Sequence, residues 1–339
     1  MILVTGGTGL VGTHILIDLL QKDKKVKAIK RKSSKLSLTK RVFKYYNVEH
    51  LFNNIIWIDA DILDTSSLEK AMQDIEIVYH SAAIVSYNKK VFTKMYNVNV
   101  IGTANVVNVA LSSKKVKKLG FISSIATLGH NKGPMNDENN KWQRHKNNSY
   151  YSVTKYAAEK EIYRGIQEGL DAVIVNPGII FGPSSWSRSS TSIFYKVFKG
   201  FKFYPVGSSG FVDARDVSRG IVQLTESNIS SERYVLIGEN LSFKYIFDEI
   251  AQAFNKPAPN IKANKLMLNL TWIIAKVVSV ITFKPPFITK STALATSRTQ
   301  VYDNSKIKSA LNFKFTSVKD SIDNTATFLL QEEKLRANS

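Results

Sequence analysis

A tyrosine and a lysine stand four residues apart near the middle of the chain, at Tyr151 and Lys155. They open a stretch with helical spacing, and residues four apart on a helix share a face. A phenol ordinarily loses its proton near pH 10, and a neighbouring ammonium group favours the phenolate. Tyr151 is therefore a candidate acid or base, with Lys155 bringing its pKa nearer neutrality. Such pairs are common on helices, so the meaning of this one depends on the motifs around it.

A glycine-rich turn lies close to the N-terminus. The apolar run Ile2–Thr5 predicts a strand, glycines follow at positions 6, 9 and 12, and helical spacing begins at residue 10. Glycines in this pattern allow a tight turn, close approach of the backbone to a pyrophosphate, and close packing of helix on strand. The helix N-terminus adds unpaired N–H groups and the positive end of its dipole. The pattern predicts a dinucleotide site formed by Gly6, Thr8, Gly9, Leu10, Val11 and Gly12.

The end of the second candidate strand bears on which nicotinamide cofactor binds. An acid there accepts hydrogen bonds from the ribose in NAD binders, whereas a basic residue accommodates the 2′-phosphate of NADP. Residues 28–34 contain no acid. Arg31 has a planar guanidinium suited to phosphate and is the predicted ligand, with Lys32 and Ser33 assisting. We expect NADP(H) to be preferred, with NAD(H) as the alternative.

Short apolar runs and helical stretches alternate through the first half of the chain. The candidate strands are Ile2–Thr5, Val26–Ile29, Ile55–Ile58, Ile75–His80, Leu119–Ser123 and Ala172–Asn176. The candidate helices are Leu10–Leu20, Ser66–Gln73, Phe92–Ser112 and Tyr151–Gly169. This alternation predicts right-handed βαβ units and a parallel sheet covered on both faces. The fold class is therefore α/β, a doubly wound parallel sheet of the Rossmann type.

The regular alternation ends after Pro177 and Gly178. A serine-rich loop follows at 184–192, then a strand end and helix at Phe211–Leu224 and a strand at Tyr234–Ile237. From about residue 241 the pattern indicates a smaller, mostly helical unit. We expect a dinucleotide-binding domain over 1–176 and about 211–238, and a substrate-binding part over about 177–210 and 239–339.

Composition limits the chemistry that the chain can perform. Its 339 residues, 44% of them hydrophobic, can bury one large core or two modest ones. The lack of cysteine excludes disulfides, thiol nucleophiles and cysteine-ligated metals. The five histidines show no metal-ligand spacing, so we expect no metal, and we interpret His80 as a satisfied core histidine. Strand pattern begins directly after Met1, which leaves no room for a signal peptide and predicts a cytoplasmic location.

Two further features concern partners. The formal charge is +20, but lysine is spread along the chain without a nucleic-acid motif, so we interpret it as a solvated surface and expect no nucleic acid. The segment Leu266–Phe283 is strongly apolar, yet Lys276 stands in its middle, where charge would be costly in a bilayer. We expect no membrane span there. The segment is predicted to be a buried or interfacial helix that lines an apolar substrate pocket.

Together, in this order, the motifs resemble the extended short-chain dehydrogenase/reductase family over nearly the whole chain. Residues 61–64 resemble the adenine-contacting segment of the family, and residues 78–83 resemble its fourth-strand motif. Residues 97–103 resemble the helix that carries an active-site asparagine, and residues 121–126 resemble the strand end that carries the catalytic serine. Residues 176–183 resemble the segment under the nicotinamide, and residues 211–217 resemble a hallmark near the domain junction. The cofactor contacts that the resemblance implies are Asp61, Ile62, Ser81, Ala82, Ala83, Tyr151, Lys155, Pro177, Gly178, Ile179 and Ile180.

The resemblance also implies roles at the reacting atoms. Tyr151 would exchange a proton with the substrate oxygen, and Lys155 would lower the pKa of that phenol and bind the nicotinamide ribose. Ser124, preferred to Ser123 by its spacing, would hydrogen-bond the same oxygen, and Asn99 would be the active-site asparagine. The roles fit the chemistry, because negative charge develops on a carbonyl oxygen during hydride transfer and needs positioned donors.

The basic strand end makes the chain resemble the dihydroflavonol-reductase and 3β-hydroxysteroid-dehydrogenase-like branch of the family. The expected function is NADP(H)-dependent reduction of a ketone or aldehyde in a small, apolar substrate. One alternative is a sugar-nucleotide epimerase or dehydratase with retained NAD(P), in which Arg215 would meet a diphosphate. Another is a non-catalytic NADP-binding regulator, against which the Tyr-Lys pair argues. The resemblance further implies a homodimer through the helix of that pair and the helix before Ser112.

Overall fold

The computed structural model describes residues 1–129, 135–145, 148–188, 190–263 and 296–337. The predicted apolar helix at Leu266–Phe283 lies outside the described residues. Among the described residues, no helix is long and apolar enough to cross a membrane.

Twelve strands occur in the described residues. They are β1 (Ile2–Thr5), β2 (Val26–Lys30), β3 (Ile56–Asp59), β4 (Ile77–His80), β5 (Lys118–Ile122), β6 (Ala172–Pro177), β7 (Ile179–Phe181), β8 (Phe203–Pro205), β9 (Ser208–Asp213), β10 (Glu232–Leu236), β11 (Glu239–Ser242) and β12 (Ile261–Ala263). Seven of them form one sheet in the order β3-β2-β1-β4-β5-β6-β10, and every neighbouring pair is parallel. The strand order reverses between β1 and β4, so the carboxyl ends of these strands border a crevice.

Eleven α-helices accompany the strands in the described part of the chain. They are α1 (Leu10–Gln21), α2 (Ser37–Tyr45), α3 (Thr65–Ala71), α4 (Phe92–Tyr96), α5 (Gly102–Ser112), α6 (Tyr150–Gln167), α7 (Thr191–Phe198), α8 (Ala214–Glu226), α9 (Phe243–Ala253), α10 (Ser305–Leu311) and α11 (Val318–Ala337). A π-helical turn, Asn97–Ile101, joins α4 to α5. Helix α6 starts where it does because the Ser149 side chain accepts a hydrogen bond from the Ser152 amide at 3.0 Å and so caps the first turn.

Successive residues of the central strands pack on opposite faces of the sheet. Leu3 belongs to a core that contains Val106 of α5 and Ile162 of α6. Val4, the next residue, belongs to a second core with Ile15 of α1 and other side chains of α8 and α11. Each such buried aliphatic side chain contributes about 1.5–3 kcal/mol. The alternation explains why these strands are apolar throughout, as is typical of a parallel sheet covered on both sides.

Two smaller sheets stand beside the main one. Strand β9 pairs antiparallel with β11 and parallel with β7, and β8 pairs with β12. At the end of β9, buried Asp213 caps α8 and accepts a 2.6 Å hydrogen bond from Ser321 of α11. This hydrogen bond joins the C-terminal helix α11 to the sheet formed by β7, β9 and β11.

The strands and helices predicted in the first half are present, with ends within two residues of the predicted ones. The doubly wound parallel sheet is confirmed. Its strands come from residues 2–177 and 232–236, and the division into a cofactor domain and a substrate-binding part stays a prediction.

Candidate active site

A deep cleft of about 2120 Å³ opens at the carboxyl ends of the central strands, where the strand order reverses. Most of the predicted cofactor contacts line it. They are Gly6, Thr8, Gly9, Leu10, Val11, Gly12, Arg31, Asp61, Ile62, Ser81, Ala82, Ala83, Tyr151, Lys155, Gly178, Ile179 and Ile180. The volume exceeds the roughly 1,000 Å³ that a single small-ligand pocket reaches, so a dinucleotide and a substrate can share it.

Three predicted contacts lie outside this lining. Lys32 and Ser33 are exposed in the turn after β2, whereas Arg31 does line the cleft. Pro177 is the last residue of β6 and is buried in the sheet opposite Leu236 of β10, whereas the next residue, Gly178, lines the cleft. Sequence position alone does not show which of two neighbouring residues faces the cleft.

The glycine turn is built for close backbone approach. Gly6 has φ 68°, and a Cβ there would stand 2.7 Å from the Ala82 backbone nitrogen. A Cβ on Gly12 would stand 2.2 Å from the Gly6 carbonyl oxygen. Both positions therefore exclude side chains, and the turn presents backbone and the start of α1 to the cleft. Free N–H groups at a helix start suit a diphosphate, so these residues fit the dinucleotide that the sequence predicts.

Tyr151 lies on the cleft wall and is largely buried. Its phenol hydrogen-bonds Ser124, and the ring of Tyr87 stands 6.2 Å away. Burial raises the pKa of Tyr151, the charge of Tyr87 raises it further, and the bond to Ser124 lowers it. The competing serine, Ser123, instead donates a 2.6 Å hydrogen bond to buried Glu159. Ser124 is thus the serine beside the phenol.

Lys155 is almost completely buried one turn further along α6. Its Nζ donates a 2.7 Å hydrogen bond to the Ile122 carbonyl oxygen and stands 4.2 Å from the ring centre of Phe121. Burial lowers the pKa of Lys155 to about 7, against an opposing effect of Glu159. Burial is the largest effect on the pKa of both Tyr151 and Lys155, and the expectation that Lys155 lowers the pKa of Tyr151 stays a prediction.

Glu159 is the group behind this wall that the sequence analysis missed. Its carboxylate is buried and accepts hydrogen bonds from Ser123 at 2.6 Å and from Thr127 at 2.7 Å. Asn176 donates a third, and Arg233 forms an ion pair with it at 3.0 Å. The sequence does show a glutamate one helical turn after Lys155. It does not show the partners of that glutamate, because they lie on three segments distant from it in the chain.

Hydrogen bonds place the side chains of three other predicted residues. Asn99 is not among the residues that line the cleft, and its side chain bonds both backbone groups of Ile84 and the Thr154 hydroxyl. In this arrangement it braces the wall of the cleft, and its role as an active-site asparagine stays a prediction. Arg215 forms a two-pronged ion pair with Asp213 at 2.8 and 2.9 Å, which counts against the expectation that it meets a substrate diphosphate.

His80 is buried between two hydroxyl groups, with Thr5 at 2.7 Å and Thr103 at 2.9 Å. Burial lowers the pKa of His80 to about 3, with Lys155 contributing. The interpretation as a satisfied core histidine is confirmed. Within the described ranges, no three His, Asp or Glu side chains are grouped to hold a metal ion.

Eight aromatic side chains line the cleft in addition to Tyr151. They are Tyr87, Trp142, Phe201, Phe203, Tyr204, Phe243, Phe247 and Tyr302. Trp142 stacks on Tyr156 of α6 at 4.2 Å and donates a 3.3 Å hydrogen bond to Ser152. These residues come from five separate segments, so no local sequence pattern predicts that they line one cleft.

Comparison with known proteins gives a consistent result. A model described as the NAD dependent epimerase/dehydratase family matches residues 2–238. The chain is 28% identical over 327 residues to a candidate dihydroflavonol 4-reductase from Synechocystis sp., covering 94% of this chain and 91% of that protein. It is 26% identical over 268 residues to the N-acetyl-alpha-D-glucosaminyl-diphospho-ditrans,octacis-undecaprenol 4-epimerase of Escherichia coli O157:H7, covering 76% of this chain and 74% of the relative.

A solved structure shares the whole architecture. The crystal structure of UDP-glucuronic acid 4-epimerase from Bacillus cereus with UDP-glucuronic acid and NAD aligns with a TM-score of 0.76 at 21% identity, covering 98% of this chain and 99% of that one. The fold is therefore shared. Reductases and epimerases both occur among the relatives, so the matches fix an NAD(P)-dependent class of enzymes and leave the reaction open.

The burial of Lys155 predicts that this lysine lowers the free energy of unfolding, and that it does so most at low pH. Its pKa lies near 7 in the fold and at 10.5 in an unfolded chain, so folding releases a proton between these values. Charging the buried lysine costs most below about pH 7, and the cost fades as the pH rises toward 10.5. Lys155→Met should raise the free energy of unfolding by on the order of 1–4 kcal/mol near pH 6, and by less near pH 9.

Urea unfolding of the nucleotide-free protein at both pH values measures this effect. Lys160→Met, which removes an exposed lysine from the same helix, is the matched control and should show no pH-dependent gain. A Lys155→Met protein that is equally destabilised at both pH values would contradict the assigned cost of burial.

Proposed function

The chain belongs to the NAD dependent epimerase/dehydratase family, and from that premise we propose that it is an NADP(H)-dependent oxidoreductase that reduces the carbonyl group of a ketone or aldehyde. The observation that carries the proposal is the position of Tyr151, Ser124 and Lys155 on one wall of the cleft that begins at the glycine turn. A cleft with a nucleotide-binding turn at one end and a proton donor at the other suits hydride transfer.

The chain's own groups supply the proton and the charge stabilisation. A bound nicotinamide supplies the hydride to the carbonyl carbon. Tyr151 then donates its proton to the substrate oxygen as negative charge develops, and Ser124 donates a hydrogen bond to the same oxygen. The high pKa of the buried phenol keeps Tyr151 protonated and ready to donate. Lys155, with a pKa of about 7, supplies positive charge behind the phenolate that this step leaves.

The preference for NADP(H) rests on Arg31. It lines the cleft at the end of β2, where the adenosine ribose of a dinucleotide lies in this fold. Lys30 beside it is paired with Asp59, whereas no carboxylate of the described chain lies within ion-pair distance of Arg31. A free guanidinium at this point suits a 2′-phosphate.

The substrate is proposed to be small and apolar. Eight aromatic side chains border the cleft beyond Tyr151, and Asp61, on the adenosine side, is the sole carboxylate among the described lining residues. Aromatic walls with a few convergent polar groups are typical of pockets for apolar ligands.

Epimerisation or dehydration of a sugar nucleotide with retained NAD(P) is the second candidate. The 26% identity to an epimerase over three quarters of the chain supports it, whereas the engagement of Arg215 by Asp213 removes one argument for it. Ready exchange of added NADPH by the purified protein supports the reductase. A nucleotide that stays bound through gel filtration supports the epimerase.

The first prediction from this proposal concerns Tyr151. Tyr151→Phe removes the proton donor and should lower kcat for carbonyl reduction by about 10²–10⁴-fold, while the Kd of NADPH stays within about twofold because the ring and its packing remain. NADPH oxidation against a panel of ketones and aldehydes measures kcat. Tyr150→Phe, a half-exposed neighbour, is the control and should act like the parent. Unchanged turnover in Tyr151→Phe would show that another group donates the proton, whereas a parent protein that oxidises NADPH with none of these carbonyl compounds would support a binding protein without chemistry.

A second prediction separates the two cofactors. Arg31→Asp should raise the Kd of NADPH by about 10- to 100-fold, since a charge-assisted hydrogen bond contributes about 1.5–3 kcal/mol, and should change that of NADH by less than about threefold. Lys35→Asp makes the same charge change on an exposed residue outside the cleft lining and should leave both values near those of the parent. Equal losses for both nucleotides would rule out the 2′-phosphate role.

We further propose a homodimer through α5 and α6. These helices lie side by side, joined by an Arg164–Asn108 hydrogen bond of 2.7 Å. Ile101, the last residue of the π-helical turn that leads into α5, and Tyr163 of α6 are exposed. Light scattering should give twice the mass of one chain, and Ile101→Glu should shift the protein toward monomer because it buries a charge in the interface. A monomeric parent protein would overturn this proposal.

A further inference from the structure

Arg188 contacts the glycine turn. Its Nη2 donates a 3.0 Å hydrogen bond to the Thr8 carbonyl oxygen. Its Nη1 stands 3.7 Å from where a Cβ would lie on Gly9. Arg188 comes from the serine-rich loop before α7, and both Arg188 and the glycine turn line the cleft. A guanidinium is therefore placed beside the predicted diphosphate cradle.

The backbone that carries Arg188 is well anchored. The Arg188 amide donates to the Ser185 carbonyl at 3.2 Å, and its own carbonyl accepts from the Ser192 amide at 2.8 Å. Trp186 in the same loop is buried and packs on Phe198 and Phe254 with ring centres 5.0 and 5.8 Å apart. These contacts fix the backbone of the loop and thereby hold the Arg188 guanidinium beside the glycine turn.

Arg188 has no carboxylate partner among the residues that the structure describes. No carboxylate of the described residues forms an ion pair with it, and residues 130–134, 146–147, 189, 264–295 and 338–339 contain no aspartate or glutamate. In the described part of the chain its guanidinium donates to a neutral group, the Thr8 carbonyl oxygen, and this bond uses a single N–H of the five that a guanidinium offers. The side chain is exposed to the cleft, so a ligand bound there can reach the guanidinium. Such a group is poised to bind an anion.

We propose that Arg188 binds the diphosphate of the nicotinamide dinucleotide beside the glycine turn. The inference rests on the proposed cofactor and goes beyond it. The start of α1 offers backbone N–H groups, and Arg188 offers a charged, two-pronged donor. The diphosphate is common to NADPH and NADH, so Arg188 contributes affinity for both. Arg31, at the other end of the adenosine, contributes the preference between them.

Binding measurements on the full-length protein test this role without any turnover. The Kd values of NADPH, NADH and adenosine 2′-phosphate are measured by calorimetry for the parent and for Arg188→Met. The two dinucleotides should bind about 10- to 100-fold more weakly, by the same factor for each. Adenosine 2′-phosphate, which lacks a diphosphate, should bind within about twofold of the parent. Arg144→Met, an exposed arginine outside the cleft lining, is the matched control and should change none of these values.

Two further variants separate diphosphate binding from bracing of the turn. Arg188→Lys keeps the charge and should retain much of the affinity, whereas Arg188→Gln keeps a donor for the Thr8 carbonyl and should be as weak as Arg188→Met. Parent-like affinity in Arg188→Gln, or an equal loss for adenosine 2′-phosphate, would assign Arg188 to bracing and overturn the proposal. So would unchanged dinucleotide affinity with a raised KM for the carbonyl substrate.

The outcome is separable from that of the proposed reaction. Weaker dinucleotide binding in Arg188→Met, in a protein that reduces no carbonyl, would support the role of Arg188 and count against the reductase. Active reduction with unchanged dinucleotide affinity would do the reverse.

Discussion

The buried carboxylate of Glu159 joins the elements that hold the candidate active site. It sits on α6, one turn from Lys155, and its partners are Ser123 after β5, Asn176 in β6 and Arg233 in β10. A buried charge costs several kcal/mol unless it is paired and hydrogen-bonded, and removing one partner of a buried ion pair typically costs about 3–5 kcal/mol. The network therefore fixes how α6 sits against three neighbouring strands. That position sets Tyr151 beside the serine that follows Ser123.

The same burial creates a conflict at the reacting end of α6. Lys155 must be kept in a site where its charged form is disfavoured, and Glu159 only partly offsets the cost. Tyr151 is buried for the same reason and keeps its proton. In this wall the Tyr151 phenol stays protonated, and the Lys155 amine has a pKa close to neutral pH. A local cost in folding stability of this kind is usual at functional sites.

The parts of this structure that could be predicted depend on sequence signals within a few residues, and the parts that could not be predicted depend on contacts between distant residues. The strands and the glycine turn were predictable because apolar runs and the spacing of Gly6, Gly9 and Gly12 act within a few residues. The partners of Asn99, Ile84 and Thr154, could not be predicted, because a motif gives a position on a helix and not the partner of the side chain. Arg188 went unnoticed since its partner is 180 residues away, in the glycine turn.

The path of the chain joins its later strands to the wall that holds Tyr151. After β6 the chain leaves the central sheet for β7, β8 and β9, returns to it as β10, and then adds β11 and β12 to the two smaller sheets. Arg233 in β10 pairs with Glu159 and also donates to the Glu138 and Asn140 carbonyls, in the segment before α6. One arginine therefore couples that segment and the last strand of the central sheet to the carboxylate that positions α6. Loops that leave such strands are the parts of a fold that tolerate change, because the positions of Tyr151 and Lys155 are set by the pairing at Glu159 in the core.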